Sequence, residues 1–301
     1  MTENEFLLQD RLAKIRSINE QYDLEHNAYV SFSGGKDSTV LHRLIDEALP
    51  GNKTPRVFIN TGIEYKLIIK FVKETAAGDD RFVIWTVGKN IPETLKKVGY
   101  PFKSKEHSQK VFEWKQGCHS KSHRRYFREE ENGYQLCPKI LMYQITPEFT
   151  LNISHKCCYE FKKKPVAEYQ KQSGRKITIT GMMKAEGGQR TTLNCIVTDS
   201  KTGKVKKFHP MAVVSPEWEE WYIKERNIQL CELYYPPFDF NRTGCICCPY
   251  SLDIQEQLDK LEQYLPTEKK RAELIWKPVY DEYRRIGYRL RKEEPVLFDS
   301  I

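Results

Sequence analysis

Apolar positions recur along this chain with two different periods. Residues 5–20 carry Phe6, Leu7, Leu8, Leu12, Ile15 and Ile18 at helical spacing, which predicts a leading helix lying on the core. Beyond it, short apolar runs alternate with helical stretches. Runs at 28–32, 56–60 and 82–87 predict strands, and residues 38–49 and 64–76 predict the helices between them. Strands alternating with helices imply parallel βαβ units, and so an α/β sheet covered by helices on both faces.

The pattern is less regular over 100–150, where helices are predicted at about 105–115 and 122–131. A helix over 159–171 precedes a strand at 176–180 that ends on Gly181. Residues 192–208 predict a short hairpin around Thr202-Gly203, and a Trp-rich stretch predicts a helix over 216–226. Two helices follow at about 251–263 and 267–286. There is no internal repeat and no Pro/Gly-rich linker. The pattern reads as one α/β domain over residues 1–250 with a C-terminal helical extension over 251–301 packed on it.

Composition narrows the setting. No apolar stretch is long enough to span a bilayer, and Met1-Thr2-Glu3-Asn4-Glu5 lacks the basic start and apolar core of a signal peptide. The expectation is a cytoplasmic protein without a membrane partner. In that compartment thiols stay reduced, so grouped cysteines point to metal or redox chemistry rather than to a disulfide frame. A net charge of +8 is compatible with nucleotides, sulfate esters or nucleic acid, and equally with a solvated basic surface. Between Lys269 and Lys292, basic residues interleave with Trp276, Tyr280, Tyr283 and Tyr288. Such a mixture can bind nucleic acid, but it also marks an ordinary amphipathic helix, which is the preferred reading here.

The sharpest chemical signal is Ser33-Gly34-Gly35-Lys36-Asp37-Ser38, between the first predicted strand and its helix. Two glycines let the backbone approach a ligand, and the first-turn N–H groups of the helix point at it. Lys36 adds a mobile positive charge, and Ser33 and Ser38 add hydroxyls. The expected ligand carries a phosphate, pyrophosphate or sulfate group. The common NTPase loop is excluded, because Val30 stands where its first glycine belongs and Asp37 where its final Ser or Thr belongs. Ligands of open α/β sheets sit beyond the carboxyl ends of the strands, where Ser33, Thr61-Gly62 and Gly181 all fall. These loops are expected to converge on one cleft.

The cysteines form a second signal. Cys157 and Cys158 are adjacent, and Cys245-Ile246-Cys247-Cys248 contains a C-x-x-C pair. A split set of two plus two can hold one [4Fe–4S] cluster or one zinc. Adjacent side chains diverge, which suits a cluster with separate iron atoms better than a single ion. The bland reading, small buried apolar residues, is the favoured one for Cys195 and Cys231. Cys118, His119, His123 and Cys137 could be imagined as a zinc site, but their spacing fits no common finger well.

These segments together carry a family resemblance. Ser33–Ser38 resembles the PP-loop of the ATP pyrophosphatase superfamily. Lys156-Cys157-Cys158 through Pro165, and Arg242-Thr243-Gly244-Cys245-Ile246-Cys247-Cys248-Pro249, resemble the two cluster segments of adenylyl-sulfate reductases, within the phosphoadenosine phosphosulfate (PAPS) reductase family. Asn60-Thr61-Gly62 is similar to the family's Asp-Thr-Gly segment. Residues 99–105 look like a family turn, and residues 181–190 resemble its substrate loop. His209-Pro210-Met211 and Trp218 fall where the family has its Pro-Leu and Trp segment. The resemblance covers roughly residues 28–250. It implies a PP-loop fold and a [4Fe–4S] cluster on Cys157, Cys158, Cys245 and Cys248, with Cys247 as a spare that could substitute. It places Lys162 between cluster and bound anion, and Lys184 and Arg190 on the substrate's anionic group.

One departure limits the chemistry. Family reductases attack sulfur with a cysteine on a C-terminal segment, yet no cysteine follows Cys248 here. Cys118, Cys137 or Cys247 would have to replace it. The expected activity is therefore that of a PP-loop enzyme. It binds ATP or a related adenine nucleotide with Mg²⁺, with Lys36, Asp37, Lys162 and Arg190 as the catalytic set. It adenylates or sulfurates an acceptor and releases pyrophosphate, with a sulfur donor or reductant protein as partner. The alternatives are a sulfonucleotide reductase with a displaced thiol, and a non-catalytic nucleotide-binding or redox-sensing module.

Overall fold

The computed structural model describes residues 1–129 and 136–292. In chain order its helices and strands are α1 (Glu3–Tyr22), α2 (Leu24–Asn27), β1 (Ala28–Ser31), α3 (Lys36–Ala48), β2 (Arg56–Asn60), α4 (Lys66–Ala76), β3 (Phe82–Thr86), α5 (Ile91–Val98), α6 (Lys105–Lys115), α7 (Lys121–Tyr126), α8 (Lys164–Ser173), β4 (Ile177–Ile179), β5 (Ile196–Thr198), β6 (Val205–Phe208), α9 (Pro216–Glu225), α10 (Ile254–Tyr264) and α11 (Pro266–Ile286). The chain divides into two compact units. One comprises Met1–Val87 with Lys164–Gly244, the other Gly88–Lys163 with Cys245–Ile301.

The first unit holds a six-stranded sheet in the order β3-β2-β1-β4-β6-β5. All neighbours are parallel except β5 with β6, which is the expected hairpin. The chain leaves β1 for β2 on one side and returns to β4 on the other. Strand order therefore reverses at β1, which opens a crevice above the carboxyl ends of β1 and β4.

Alternation along β1 sends its side chains to both faces. Ala28 and Val30 join Leu8, Leu12 and Ile15 of α1, Val40 and Leu44 of α3, and Trp218 and Tyr222 of α9 in one large core. Tyr29 instead joins Val57 and Tyr169, with Val166 of α8 against them, on the other face. The fold is thus α/β with a mostly parallel sheet and helices on both faces, as the alternating pattern implies. The leading helix starts earlier than its apolar stripe suggests, because Thr2 and Glu5 form a reciprocal capping box that fixes the first turn.

The second unit contains α5 to α7, a 3₁₀ segment at Lys139–Ile145, a π turn at Tyr159–Lys163, and the pair α10 and α11. Helix α5 is not predicted from its apolar pattern. Its start is written instead in Asn90, whose side chain accepts from Glu93 N, and in Pro92 in the first turn. The helix predicted at 159–171 is divided, its first turn being π and α8 carrying the rest. Of the helix predicted at 122–131, α7 covers Lys121–Tyr126, and residues 130–131 lie outside the described residues.

Gly181, at the end of β4, is fixed by space rather than by backbone torsion. A Cβ there would lie 2.5 Å from the Asp37 carbonyl oxygen and 3.0 Å from its carbon. Backbone cannot yield as a flexible side chain does. Gly181→Ala is expected to destabilise the protein by about 1–3 kcal/mol through overpacking, read as a lower urea midpoint with unchanged m-value.

Candidate phosphate loop and cysteine centre

The Ser33–Ser38 loop connects β1 to α3 in the first unit. Gly34 adopts φ +73°, and a Cβ on it would lie 2.8 Å from Val72 Cγ2 of α4, so both torsion and space require glycine. The two serines brace the loop from within. Ser38 Oγ donates to Gly35 O (2.9 Å) and accepts from Ser33 N (3.1 Å), while Ser33 Oγ accepts from Gly35 N (3.4 Å). Gly35 is the N-cap of α3 without a side-chain cap, so the helix N-terminus presents backbone N–H groups. One of these, Lys36 N, donates to the Tyr234 hydroxyl (3.0 Å), which also pairs with Thr243 Oγ1 (2.7 Å).

Lys36 Nζ lies 3.2 Å from Glu219 Oε2 on α9, and that carboxylate is fully buried. Burial, followed by the charge of Asp37, raises the Glu219 pKa to about 7, with Lys36 opposing the rise. Glu219 and Tyr234 are not among the residues the sequence pointed to, and Thr243 stood there only as part of the second cysteine segment. Glu219 sits inside a Trp-rich amphipathic helix, where an acidic residue ordinarily faces water.

The neighbouring loops are internally tied. Thr61 donates from its hydroxyl to Glu64 Oε1 (2.7 Å) and from its N–H to Oε2 (3.0 Å), so its side chain organises the turn after β2. Gly62 there has φ +78°. In the loop after β4, Glu186 pairs with Arg190 and with Arg242 (2.6 Å), so the predicted anion-binding Arg190 carries a carboxylate partner. Lys184 is exposed, and its N–H donates to Ala212 O (3.1 Å).

Both cysteine segments belong to the second unit. Cys157 and Cys158 have their sulfurs 4.0 Å apart. The Cys158 hydrogen bond, then burial, then the charges of Cys158, Cys248 and Cys245 raise the Cys157 pKa. The Cys157 hydrogen bond lowers that of Cys158 against burial, helped by Lys105, Lys162 and Lys163. Burial first, then Cys245, raises Cys248. The structure thus brings Cys157, Cys158, Cys245 and Cys248 within electrostatic reach of one another, with Lys162 beside them. Cys247 is buried and takes φ +38°. Tyr250 adds an unforeseen feature. Its hydroxyl is buried, and its pKa is raised by burial and then by Cys157, with Ser108 opposing and Cys158 and Cys248 adding to the rise. Thiols are the ligand type that an iron–sulfur cluster takes. Among the described residues no three side chains converge as ligands of a single ion.

Helix α11 holds this segment from behind. Trp276 Nε1 donates to Ile246 O (2.8 Å), Tyr280 OH to Cys247 O (2.5 Å) and Tyr283 OH to Pro249 O (2.8 Å). Arg289 Nη1 also donates to Pro249 O (2.8 Å). Of the four aromatics in this stretch, Trp276, Tyr280 and Tyr283 are therefore buried core residues, and Tyr288 is half-buried. Several interleaved cations are ion-paired, including Lys269 with Glu262, Lys277 with Asp281 and Arg291 with Asp259. Of the imagined zinc set only Cys118 and His123 meet, Sγ to Nδ1 at 3.8 Å. His119 stacks on Trp114, His123 also contacts Ser120 and Glu113, and Cys137 is buried beside His107.

Tyr280→Phe removes the hydroxyl that donates to the buried Cys247 carbonyl. It is expected to cost about 1–3 kcal/mol, read by urea unfolding, while Lys277→Ala on the exposed face costs under about 0.5 kcal/mol.

Comparison with known proteins places this geometry. The phosphoadenosine phosphosulfate reductase domain model matches residues 27–251. An uncharacterized protein of Methanocaldococcus jannaschii is 26% identical over 292 residues, covering 93% of this chain and 55% of the relative. The chain thus spans about half the length of that curated relative. Among solved structures, the phosphate complex of PAPS reductase from Candida auris has TM-score 0.44 at 14% identity, covering 81% of this chain and 96% of the other. NH3-dependent NAD synthetase from Campylobacter jejuni has TM-score 0.44 at 12% identity, covering 99% and 100%. FMN adenylyltransferase of Candida glabrata, in complex with FAD and inorganic pyrophosphate, has TM-score 0.43 at 14% identity, covering 75% and 59%. The domain match extends from the strand before the glycine loop through both cysteine segments, and by it the chain belongs to the PAPS reductase domain family.

Proposed function

We propose that this protein binds ATP or a related adenine nucleotide with its phosphates on residues 33–38, and uses it to adenylate or sulfurate an acceptor with release of pyrophosphate. The observation that carries this reading is the loop itself. A glycine turn, a helix N-terminus without a side-chain cap and a lysine meet at the carboxyl end of β1, where strand order reverses.

The loop N–H groups and Lys36 hold the β- and γ-phosphates, and Mg²⁺ accompanies the nucleotide as part of the substrate. An acceptor oxygen attacks the α-phosphorus. One P–O bond forms, the bond to the bridging oxygen breaks, and pyrophosphate leaves with its charge met by Lys36 and the helix N-terminus. Asp37 and Arg190 belong to the same reaction site in this reading, Arg190 exchanging its Glu186 partner for an anionic substrate. Lys184 and Gly181 frame the substrate loop, and Thr61 and Gly62 the adjoining turn.

Cys157, Cys158, Cys245 and Cys248 would hold a [4Fe–4S] cluster, with Lys162 offsetting its negative charge. Such a cluster supplies a covalent staple for the two segments and a centre for electron or sulfur transfer. The substitute thiols needed by a reductase gain little support. Cys137 is buried with its pKa raised to about 11, and Cys247 is fully buried, whereas attack on sulfur needs an accessible thiolate. Cys118 is exposed. A sulfur donor or reductant protein is the partner this reading requires.

Anaerobically purified protein is expected to be brown, with about four iron and four sulfide per chain by colorimetric assay. With ATP and the right acceptor it should release pyrophosphate, and Lys36→Ala should lower that rate by about 10²–10³-fold. Thiol-dependent sulfite release from adenylyl sulfate, with no pyrophosphate release from ATP for any acceptor tried, would overturn the reading.

A further inference from the structure

Glu219 is the residue of the first unit that its surroundings explain least. Its side chain is fully inaccessible, and neither carboxylate oxygen has a hydrogen bond of adequate geometry. A buried carboxylate ordinarily collects two or three donors, since desolvation is otherwise uncompensated. Here the compensation is a single ammonium. Lys36 Nζ approaches to 3.2 Å, and its own side chain remains 24% exposed, on the solvent side of the pair. The groups facing Glu219 are Lys36 and Asp37 from α3 and Glu220 from its own helix, so one cation stands against two further acids. Arg190 lies near Asp37 but is engaged by Glu186.

We infer that Glu219 is a positioning residue that parks Lys36 beside the phosphate loop, and that nucleotide binding transfers the ammonium from Glu219 to the phosphates while Glu219 takes up a proton from solvent. The inference rests on the nucleotide reading of the loop. Its physical basis is charge balance. Lys36 begins the helix whose N-terminus forms the anion site, so moving its ammonium onto a triphosphate draws it away from the buried acid. Once Lys36 leaves, Glu219 keeps its burial and the repulsion of Asp37 and loses its one attraction. A carboxyl already poised near neutrality then binds a proton rather than remain a lone buried charge. Neutral Glu219 removes the pull that would draw Lys36 back. Loading the loop is thereby linked to proton uptake.

The sign follows directly. Because the loaded state binds more protons than the empty state, affinity falls as pH rises through the region above neutrality. The nucleotide's own terminal phosphate titrates near pH 6 and is fully ionised by about pH 7.5, so it contributes no uptake there.

The test is titration of Mg-ATP into the full chain by calorimetry at about pH 7.5, in buffers of low and high ionisation enthalpy. Wild type is expected to take up a substantial fraction of a proton per ATP, and its Kd should rise several-fold between about pH 7 and pH 8.5. E219Q should bind Mg-ATP with no proton uptake and a flat Kd over that range. E219A serves as a second variant should E219Q fold poorly, and the wild-type measurement stands without either. Absence of uptake in wild type, or equal uptake in wild type and E219Q, would overturn the inference and leave the nucleotide reading intact. Failure of wild type to bind Mg-ATP at all would instead overturn that reading, and this inference with it.

Discussion

Backbone meets backbone where β4 ends on α3, and the rest of the first unit depends on that approach. Gly181 lies so close to the Asp37 carbonyl that no side chain fits between them, and a Cβ on Gly34 would meet the Val72 side chain of α4 at 2.8 Å. These two contacts seat the Ser33–Ser38 loop at the reversal of strand order. They also let the first turn of α3 face the crevice, with no N-cap side chain and with Lys36 N donating to the Tyr234 hydroxyl. Arg56 of β2 adds a second anchor, its guanidinium lying 2.5 Å from Asp46 near the far end of α3. A helix fixed at both ends can hold an anion site without rearrangement when the ligand arrives, which is the condition for electrostatic stabilisation of a leaving group.

The second unit meets a different constraint. Thiols within electrostatic reach of one another repel when ionised, and this adds to the raised pKa of Cys157 and Cys248, whereas Cys158 is lowered by its Cys157 hydrogen bond and nearby lysines. A segment so arranged needs support from elsewhere, and α11 supplies it through side-chain donors to the carbonyls of Ile246, Cys247 and Pro249. This helix lies beyond residues 27–251, the extent of the family match. The mixture of basic and aromatic residues in it therefore has a structural origin. Its aromatics turn inward to hold the cysteine segment, and cations such as Lys269, Lys277 and Arg291 pair with acidic neighbours.

Much of this was legible in the chain. Periodicity located the parallel strands and their helices because the strand runs are apolar, with β1 alternating between two apolar cores. The glycine loop was legible because its geometry admits few residue types. Glycine at 181 was read as a ligand loop, whereas space against Asp37 is its firm requirement. The serines and Thr61 were read as ligand donors and prove to brace their own loops. Glu219, Tyr234 and Tyr250 were invisible, because an acid or a tyrosine on an amphipathic segment carries no mark of the partner that tertiary structure will bring to it. Helix α5 was missed because its signal lies in its cap rather than in its apolar stripe.

The central claim is that the first turn of α3 is an anion cradle for a nucleoside triphosphate. Amide hydrogen exchange of the full chain with and without Mg-ATP tests it most directly. Protection is expected at residues 34–39, with little change over α1 or α10. Strong nucleotide binding with protection confined to other segments, and none at 34–39, would contradict the account.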